Sequence, residues 1–438
     1  MRILPRLPLY SAAVALAAAS TVLLTSAPAS ADFGTGTFTG DDVQPCETPE
    51  TEGEDLTAKE WTTDKLGLNE AHQYNEGRFE DGSRVKIAVI DSGVQSTHEI
   101  FGDRVSSGFD IFDPDGNGQC DGYQHGTGVA GIAAGGAESN QFVGVAPQAE
   151  ILPIRLFLDA EEGAGFDKSE QLASVINDAV SKGADVINIS LVTPPTPKLE
   201  QAVKDAIAAD VVIVAATGNA GIDMDSTEYS GEDAGYYPAN YEEVIAVGAH
   251  DENGAYYKET NFGAKIDILA PGVNVTMPFP GGGWFTDSGT SFAAPFVSGA
   301  AALLKGEFGK TTDVKWISDR LKDTALPPPD DFNRYQGYGV LNVAAALTAP
   351  DPSEDGESES PAPPADAEQR SIAGIDVDYD PLSTAKTVAW ASIGIAIVVI
   401  TLVLVLRKIV PDGRKRGWRP GTRDVDRLPV KAGAEDTA

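Results

Sequence analysis

The chain is short of positive charge, of cysteine and of histidine, and each shortage narrows what it can be. Its 438 residues hold 32 Lys and Arg against 66 Asp and Glu, a formal net charge of −34. Nucleic-acid binding needs a basic footprint, so this balance argues against it. It favours a soluble, self-repelling surface. With only two cysteines, Cys46 and Cys120, one intramolecular bridge is the most the chain can make. A core of this size needs no such staples to bury its apolar surface. The four histidines, His72, His98, His125 and His250, leave a short list for any role that needs an imidazole. No internal repeat is visible.

Two hydrophobic segments explain how the charge is distributed. Residues 1–31 read as a signal peptide: Arg2 and Arg6 make a basic start, an apolar stretch follows, and Ala29-Ser30-Ala31 is a small-x-small cleavage pattern. The mature chain is then expected to begin at Asp32; a retained signal anchor is the alternative. Thr387–Leu406 is a run of 20 residues without a charge, enough to cross about 30 Å of hydrocarbon. Arg407, Lys408, Arg414, Lys415 and Arg416 follow it, and positive charge stays on the cytoplasmic side. The expectation is a single-pass protein of the cell membrane. The acidic part lies outside, the basic tail 407–438 inside, and one helix makes the membrane contact. A buried core helix is the bland alternative for 387–406. Residues 32–406 hold 21 basic and 61 acidic residues, and residues 407–438 hold 9 and 5, as expected for parts in different places. Export would put both cysteines where a disulfide can persist. A Cys46–Cys120 bridge would tie the N-terminal extension, 32–59, to the loop before His125; two free thiols are the alternative.

Residues 32–59 lack apolar periodicity and read as an extended arm. Residues 66–77 look helical. Apolar runs at Val85–Ile90, Ile151–Phe157, Val186–Ser190, Val211–Ala216 and Val244–Gly248 read as buried strands. Helical patterns lie between them at Lys168–Lys182, Leu199–Ala209 and Gly128–Gly135. Strands alternating with helices imply an α/β fold, a mainly parallel sheet covered on both faces. In such sheets the chemistry gathers at the carboxyl ends of the strands, where Asp91 and Asn219 are expected just past a strand end. Residues 348–386 are dominated by Pro, Ser, Asp and Glu and read as a disordered stalk.

The chain carries three motifs in a fixed order: VIDSG with Asp91, HGTGVAG with His125 and GTSFAAP with Ser291. An acid, an imidazole and a hydroxyl are the parts of a nucleophilic acyl-transfer site. Ser291 precedes a run of small and apolar residues that reads as a helix, so its hydroxyl would sit near backbone N–H groups able to hold an anion. It could equally be an ordinary N-cap. Gly289 and the run 281–283 are expected to let a substrate peptide approach closely. Only His125 among the histidines heads a Gly-rich helix start. It would take the Ser291 proton as general base, with Asp91 orienting it. His98 reads as loop structure or a substrate contact. Asn219, in ATGNAG, could donate its amide to an oxyanion beside the Ser291 N–H.

These motifs resemble the subtilisin-like serine proteases, over roughly residues 60–347. The order Asp, His, Ser is one the general description of subtilisin already contains. The resemblance implies a subtilisin-like, doubly wound sheet with helices on both faces. It implies Asp91, His125 and Ser291 as triad and Asn219 as oxyanion donor. Ser190 and Leu191, with Gly218, would line the substrate site and pair with substrate backbone by strand addition. No cofactor and no metal are implied, and the partners are protein or peptide substrates. Two departures stand out: Gly128 replaces a second histidine, and Val192-Thr193-Pro194-Pro195 replaces glycines, which narrows the cleft. Only 59 residues, 32–90, lie between the expected cleavage site and Asp91, too few for a full folding pro-domain.

Signal peptide, arm, catalytic domain, stalk, span and basic tail together resemble the mycosins, membrane-anchored proteases of type VII secretion systems in actinobacteria. The resemblance implies processing of proteins of such a system and a place in its membrane complex. The alternative is a mainly structural subunit or cap of that complex. Asp113–Asp121 carries part of a calcium-loop pattern, but position 12 is Gln124 and no helix pair flanks it. It reads as an acidic loop, not a metal site.

Overall fold

The computed structural model describes residues 46–136, 141–158, 168–226 and 236–350. The expected signal peptide, the first part of the expected arm, the 387–406 run, the basic tail and the expected stalk beyond Pro350 lie outside the described residues; Thr348, where that stalk was expected to begin, instead ends the Val343–Thr348 helix. Among the described residues no helix is long and apolar enough to cross a membrane.

Seven parallel strands form the central sheet. They are β1 (Lys86–Asp91), β2 (Phe109–Asp110), β3 (Glu150–Arg155), β4 (Val186–Ile189), β5 (Val212–Ala216), β6 (Ile245–His250) and β7 (Ile268–Pro271), in the spatial order β2-β3-β1-β4-β5-β6-β7. The order reverses direction at β1, which lies between β3 and β4. Successive residues of each strand serve opposite faces. Ile87 and Val89 join one core with the helices His125–Ala134 and Thr290–Phe308. Ala88 and Ile90 join the other, with Ser169–Ser181 and Pro197–Ala208. Both faces are buried, which is why these strands read as unbroken apolar runs rather than alternating ones.

Several boundaries move. Asp91 is the last residue of β1, paired with Arg155 of β3, not a residue beyond the strand. Of the helix expected over 66–77 only Leu68–Ala71 is helical, and a separate short helix, Trp61–Lys65, precedes it. Gly67 separates them at φ 66°, turning the chain so that Leu66 and Leu68 on either side are both fully buried. Strand β7 and an antiparallel hairpin, β8 (Val275–Pro278) with β9 (Trp284–Asp287), were not anticipated as strands. They follow no long apolar run, and the hairpin includes Pro278 at a strand end.

The arm is extended along the domain. Cys46 and Cys120 form a disulfide with Cα atoms 6.0 Å apart. Further on, Gly53 N–H donates to Gly282 O at 2.8 Å, and Glu54 and Trp284 exchange backbone hydrogen bonds of 2.7 and 2.9 Å. The glycine run 281–283 therefore receives the protein's own arm, not a substrate. A Cβ on Gly281 would lie 2.1 Å from Thr51 O, so the close approach expected of this run is real but internal.

Candidate active site

Strand β1 delivers Asp91 to the carboxyl edge of the sheet, fully buried. Its Oδ1 accepts from Ser92 N–H at 2.7 Å and lies 2.8 Å from His125 Nδ1. His125 opens the His125–Ala134 helix, and the glycine after it makes this contact possible. A Cβ on Gly126 would lie 2.1 Å from Gly93 O and 3.1 Å from Asp91 Oδ1. Burial works to lower the His125 pKa, but the charge and hydrogen bond of Asp91 outweigh it. Asp121 and Asp287 add to the effect, and the net shift is upward.

A second buried carboxylate, Asp121, stands behind this pair. It accepts from Ser92 Oγ, Tyr123 N and Gln124 N at 2.9 Å each, from Thr127 N at 2.8 Å and from Thr127 Oγ1 at 2.6 Å. Ser92 Oγ in turn accepts from Gly126 N–H at 2.9 Å. Asp121 thus ties the end of β1 to the first turn of the helix. The sequence reading passed over it as a member of the acidic loop; its spacing of six from Thr127 was the available signal. The other oxygens of that loop serve their own backbone: Asp113 Oδ1 accepts from Asp115 N and Asn117 Oδ1 from Gln119 N.

Ser291 is the second residue of the Thr290–Phe308 helix, after Gly289. Its Oγ donates to Ser190 O at 3.1 Å, while Ser190 Oγ donates to Ser291 O at 2.8 Å. No hydrogen bond joins Ser291 to His125 among the described residues, although both line one cavity. Such bonds often form only with substrate in place. Asn219 follows β5. Its Oδ1 accepts from Thr290 N–H at 2.8 Å and from Thr290 Oγ1 at 2.9 Å. A backbone N–H can only donate, so Oδ1 is fixed towards Thr290 and the amide NH₂ is left to face outward. Asn261 braces the same loop, donating to Thr217 O at 2.8 Å and accepting from Ala220 N at 3.0 Å and Ile222 N at 3.2 Å. Thr290 and Asn261 were missed because neither carries the reacting chemistry.

The cavity holds about 570 Å³ and is walled by Ser190, Leu191, Val192 and Gly218, with Tyr236 also lining it. Gly218 has φ 96°, and a Cβ there would meet Val192 Cγ1 at 3.3 Å and Asn261 Nδ2 at 2.6 Å. Tyr236 is 2% exposed. Asp287 is the one Asp, Glu, Lys or Arg lining it among the described residues, and it is exposed. The arrangement joins a nucleophile, a carboxylate-oriented imidazole and two N–H donors beside an apolar slot, as acyl transfer requires.

The remaining histidines lie outside this cavity. His98 caps the Glu99–Phe101 turn through Nδ1 and packs edge-on against Trp284, so it is loop structure. His72 Nε2 bonds Val145 O at 2.8 Å. His250 is buried, with Nδ1 2.6 Å from Asp251 O, and burial lowers its pKa to about 4.

Residues 82–339 match the model of the subtilase family, Peptidase_S8. Subtilisin BL of Lederbergia lenta is 39% identical over 269 residues, covering 60% of this chain and 91% of that protein. Subtilisin DY of Bacillus licheniformis is 35% identical over a stretch of the same length. Among solved structures, the MycP3 protease from the type VII (ESX-3) secretion system superposes with TM-score 0.57 at 28% identity, over 70% of this chain and 98% of that one. MycP1 from Mycobacterium smegmatis gives TM-score 0.57 at 28% identity, over 72% and 94%.

Proposed function

The chain belongs to the subtilase family and is a serine endopeptidase, and we propose that it works as a membrane-anchored, extracytoplasmic processing protease of a type VII secretion system. The observation that carries the chemistry is the 2.8 Å contact between the buried Asp91 and His125, which lines the same cavity as Ser291 and Asn219. In this reading Ser291 Oγ attacks the peptide carbonyl while His125 takes its proton and passes it to the leaving amine. Asp91 holds the ring and stabilises its charged form. The Asn219 amide and the Ser291 N–H hold the oxyanion. Water then repeats the sequence on the acyl-enzyme.

The slot between Ser190–Val192 and Gly218 takes the side chain preceding the cleaved bond. Val192 and Tyr236 both line it, Val192 Cγ1 within 3.3 Å of where a Cβ on Gly218 would lie, and this favours a small, uncharged residue there. Membrane anchoring rests on the 387–406 run and its basic flank, and the secretion role on the likeness to MycP1 and MycP3. The test is a fluorophosphonate probe applied to the full-length chain. Label on Ser291 that is lost in His125→Ala supports the mechanism, and a folded protein that never labels sinks it. Secretion by a strain carrying Ser291→Ala tests the role: normal export favours a scaffold, lost export a processing enzyme.

A further inference from the structure

Asn188 is a fully buried amide in the middle of β4, between Ile187 and Ile189. The catalytic mechanism makes no use of it, and burying an amide is costly unless it is hydrogen-bonded. Its bonds run in one direction. Ser298 Oγ donates to Asn188 Oδ1 at 2.8 Å, sharing its proton with Ala294 O at 3.2 Å. Asn188 Nδ2 donates to Ser190 Oγ at 2.9 Å. Ser190 Oγ donates to Ser291 O at 2.8 Å. The direction is forced from the far end. A carbonyl can only accept, so Ser190 must use its one proton on Ser291 and receive from Asn188, which turns Oδ1 towards Ser298.

The carbonyl at that end has a particular need. In a helix the N–H of residue i serves the carbonyl of residue i−4. Ser291 O should therefore be served by residue 295, and residue 295 is a proline inside the helix, without an N–H. The helix cannot satisfy the carbonyl of its own nucleophile. Ser190, from the neighbouring strand end, does so instead. Ser298 lies seven residues beyond Ser291, two helical turns along, so Asn188 of β4 and Ser190 just after it hold this helix at two points.

We propose that Asn188 is a positioning residue for the nucleophile: it orients Ser190 Oγ to replace the hydrogen bond that Pro295 denies to Ser291 O. Residue Ser291 carries both the attacking hydroxyl and an oxyanion-donating N–H, so a shift of its backbone disturbs both. This inference rests on the protease reading above.

The experiment measures the rate of Ser291 labelling by a fluorophosphonate, and kcat and KM on a peptide substrate, with the full-length chain. Asn188→Ala and Ser190→Ala should each slow labelling by about tenfold or more, within the roughly 10²-fold that ångström-scale misplacement costs. The loss should fall on kcat with KM held. Ser190→Thr, which keeps the hydroxyl, should restore most of the rate. In a Pro295→Ala background residue 295 regains an N–H, so the Ser190→Ala penalty should shrink. A general packing role would not produce that coupling. Labelling of Ser190→Ala within about twofold of wild type, or a penalty unchanged by Pro295→Ala, overturns the proposal. If Asn188→Ala does not fold, the Ser190 and Pro295 cycle decides the matter alone. A folded wild type that does not label overturns the protease reading itself, and this inference with it.

Discussion

Thr290 donates twice to one atom of Asn219, its N–H at 2.8 Å and its hydroxyl at 2.9 Å, both to Oδ1. The residue next to the nucleophile thereby decides which end of the Asn219 amide faces the substrate. Asn219→Ala should lower kcat by roughly 10² to 10³ with little change in KM, the usual result of losing an oxyanion donor. Thr290→Val keeps the N–H bond and loses the hydroxyl one, so it should cost less, about tenfold. Steady-state kinetics on one peptide substrate would compare the two, and a larger loss for Thr290→Val would refute the ordering.

The pH profile has a defined sign. His125 must be neutral to accept a proton, and its pKa is raised above the ordinary 6.5. Activity should therefore be lost as pH falls through that raised value, placing the acid limb of kcat/KM above 6.5. Asp287 contributes to the shift from an exposed position. Asp287→Asn should move the limb to lower pH, and added salt should move the wild-type limb the same way.

His250 ties stability to pH independently of catalysis. Its folded pKa, about 4, lies below the ordinary 6.5. The unfolded chain therefore binds this proton first. The contribution is fully present above about 6.5, falls as pH drops and is gone below about 4. Its total is on the order of 3 kcal/mol. Urea unfolding across pH 7 to 5 should show a shallower loss in His250→Gln than in the wild type; equal slopes would exclude His250 as the source.

Val192 and Tyr236 line the slot proposed to take the side chain before the cleaved bond. Val192→Gly should raise kcat/KM for substrates with Leu or Phe before the cleaved bond by roughly 10- to 200-fold relative to Ala, the range attached to small changes of fit in an apolar pocket. A peptide library cleaved by both proteins checks this. An unchanged preference would place the size limit elsewhere in the cleft.

The Cys46–Cys120 bridge closes a loop of sequence separation 74. Loop-closure entropy puts its contribution at about 4 kcal/mol. Cys46→Ser with Cys120→Ser should lower the melting temperature and expose residues 46–59 to proteolysis. A melting temperature unchanged by the double substitution would count against a stabilising role.

How much of this was legible in the sequence follows from the physics of each part. Strand β5 stood out because both faces of the sheet are covered, leaving Val212–Ala216 uniformly apolar. The Pro197–Ala208 helix stood out through its amphipathic pattern. The 66–77 segment misled because Gly67 acts through a left-handed turn that helical periodicity does not reveal. Asp91, His125 and Ser291 were visible as residue types beside glycines. Asn188 and Thr290 were not, because their bonding runs through groups far along the chain: Ser298 is 110 residues from Asn188, and Asn219 is 71 from Thr290. The run 281–283 was read as room for a substrate, since glycines announce a close approach without naming what approaches.

That run has a consequence for how the molecule meets other chains. A two-stranded hairpin exposes a row of unpaired N–H and C=O groups along each outer side, a ready template for intermolecular pairing. Strand β9 has β8 on one side and Glu54 of the arm on the other. The arm therefore acts as a built-in guard strand. It covers the hairpin edge at Trp284 within its own chain, so a neighbouring molecule cannot pair with that residue.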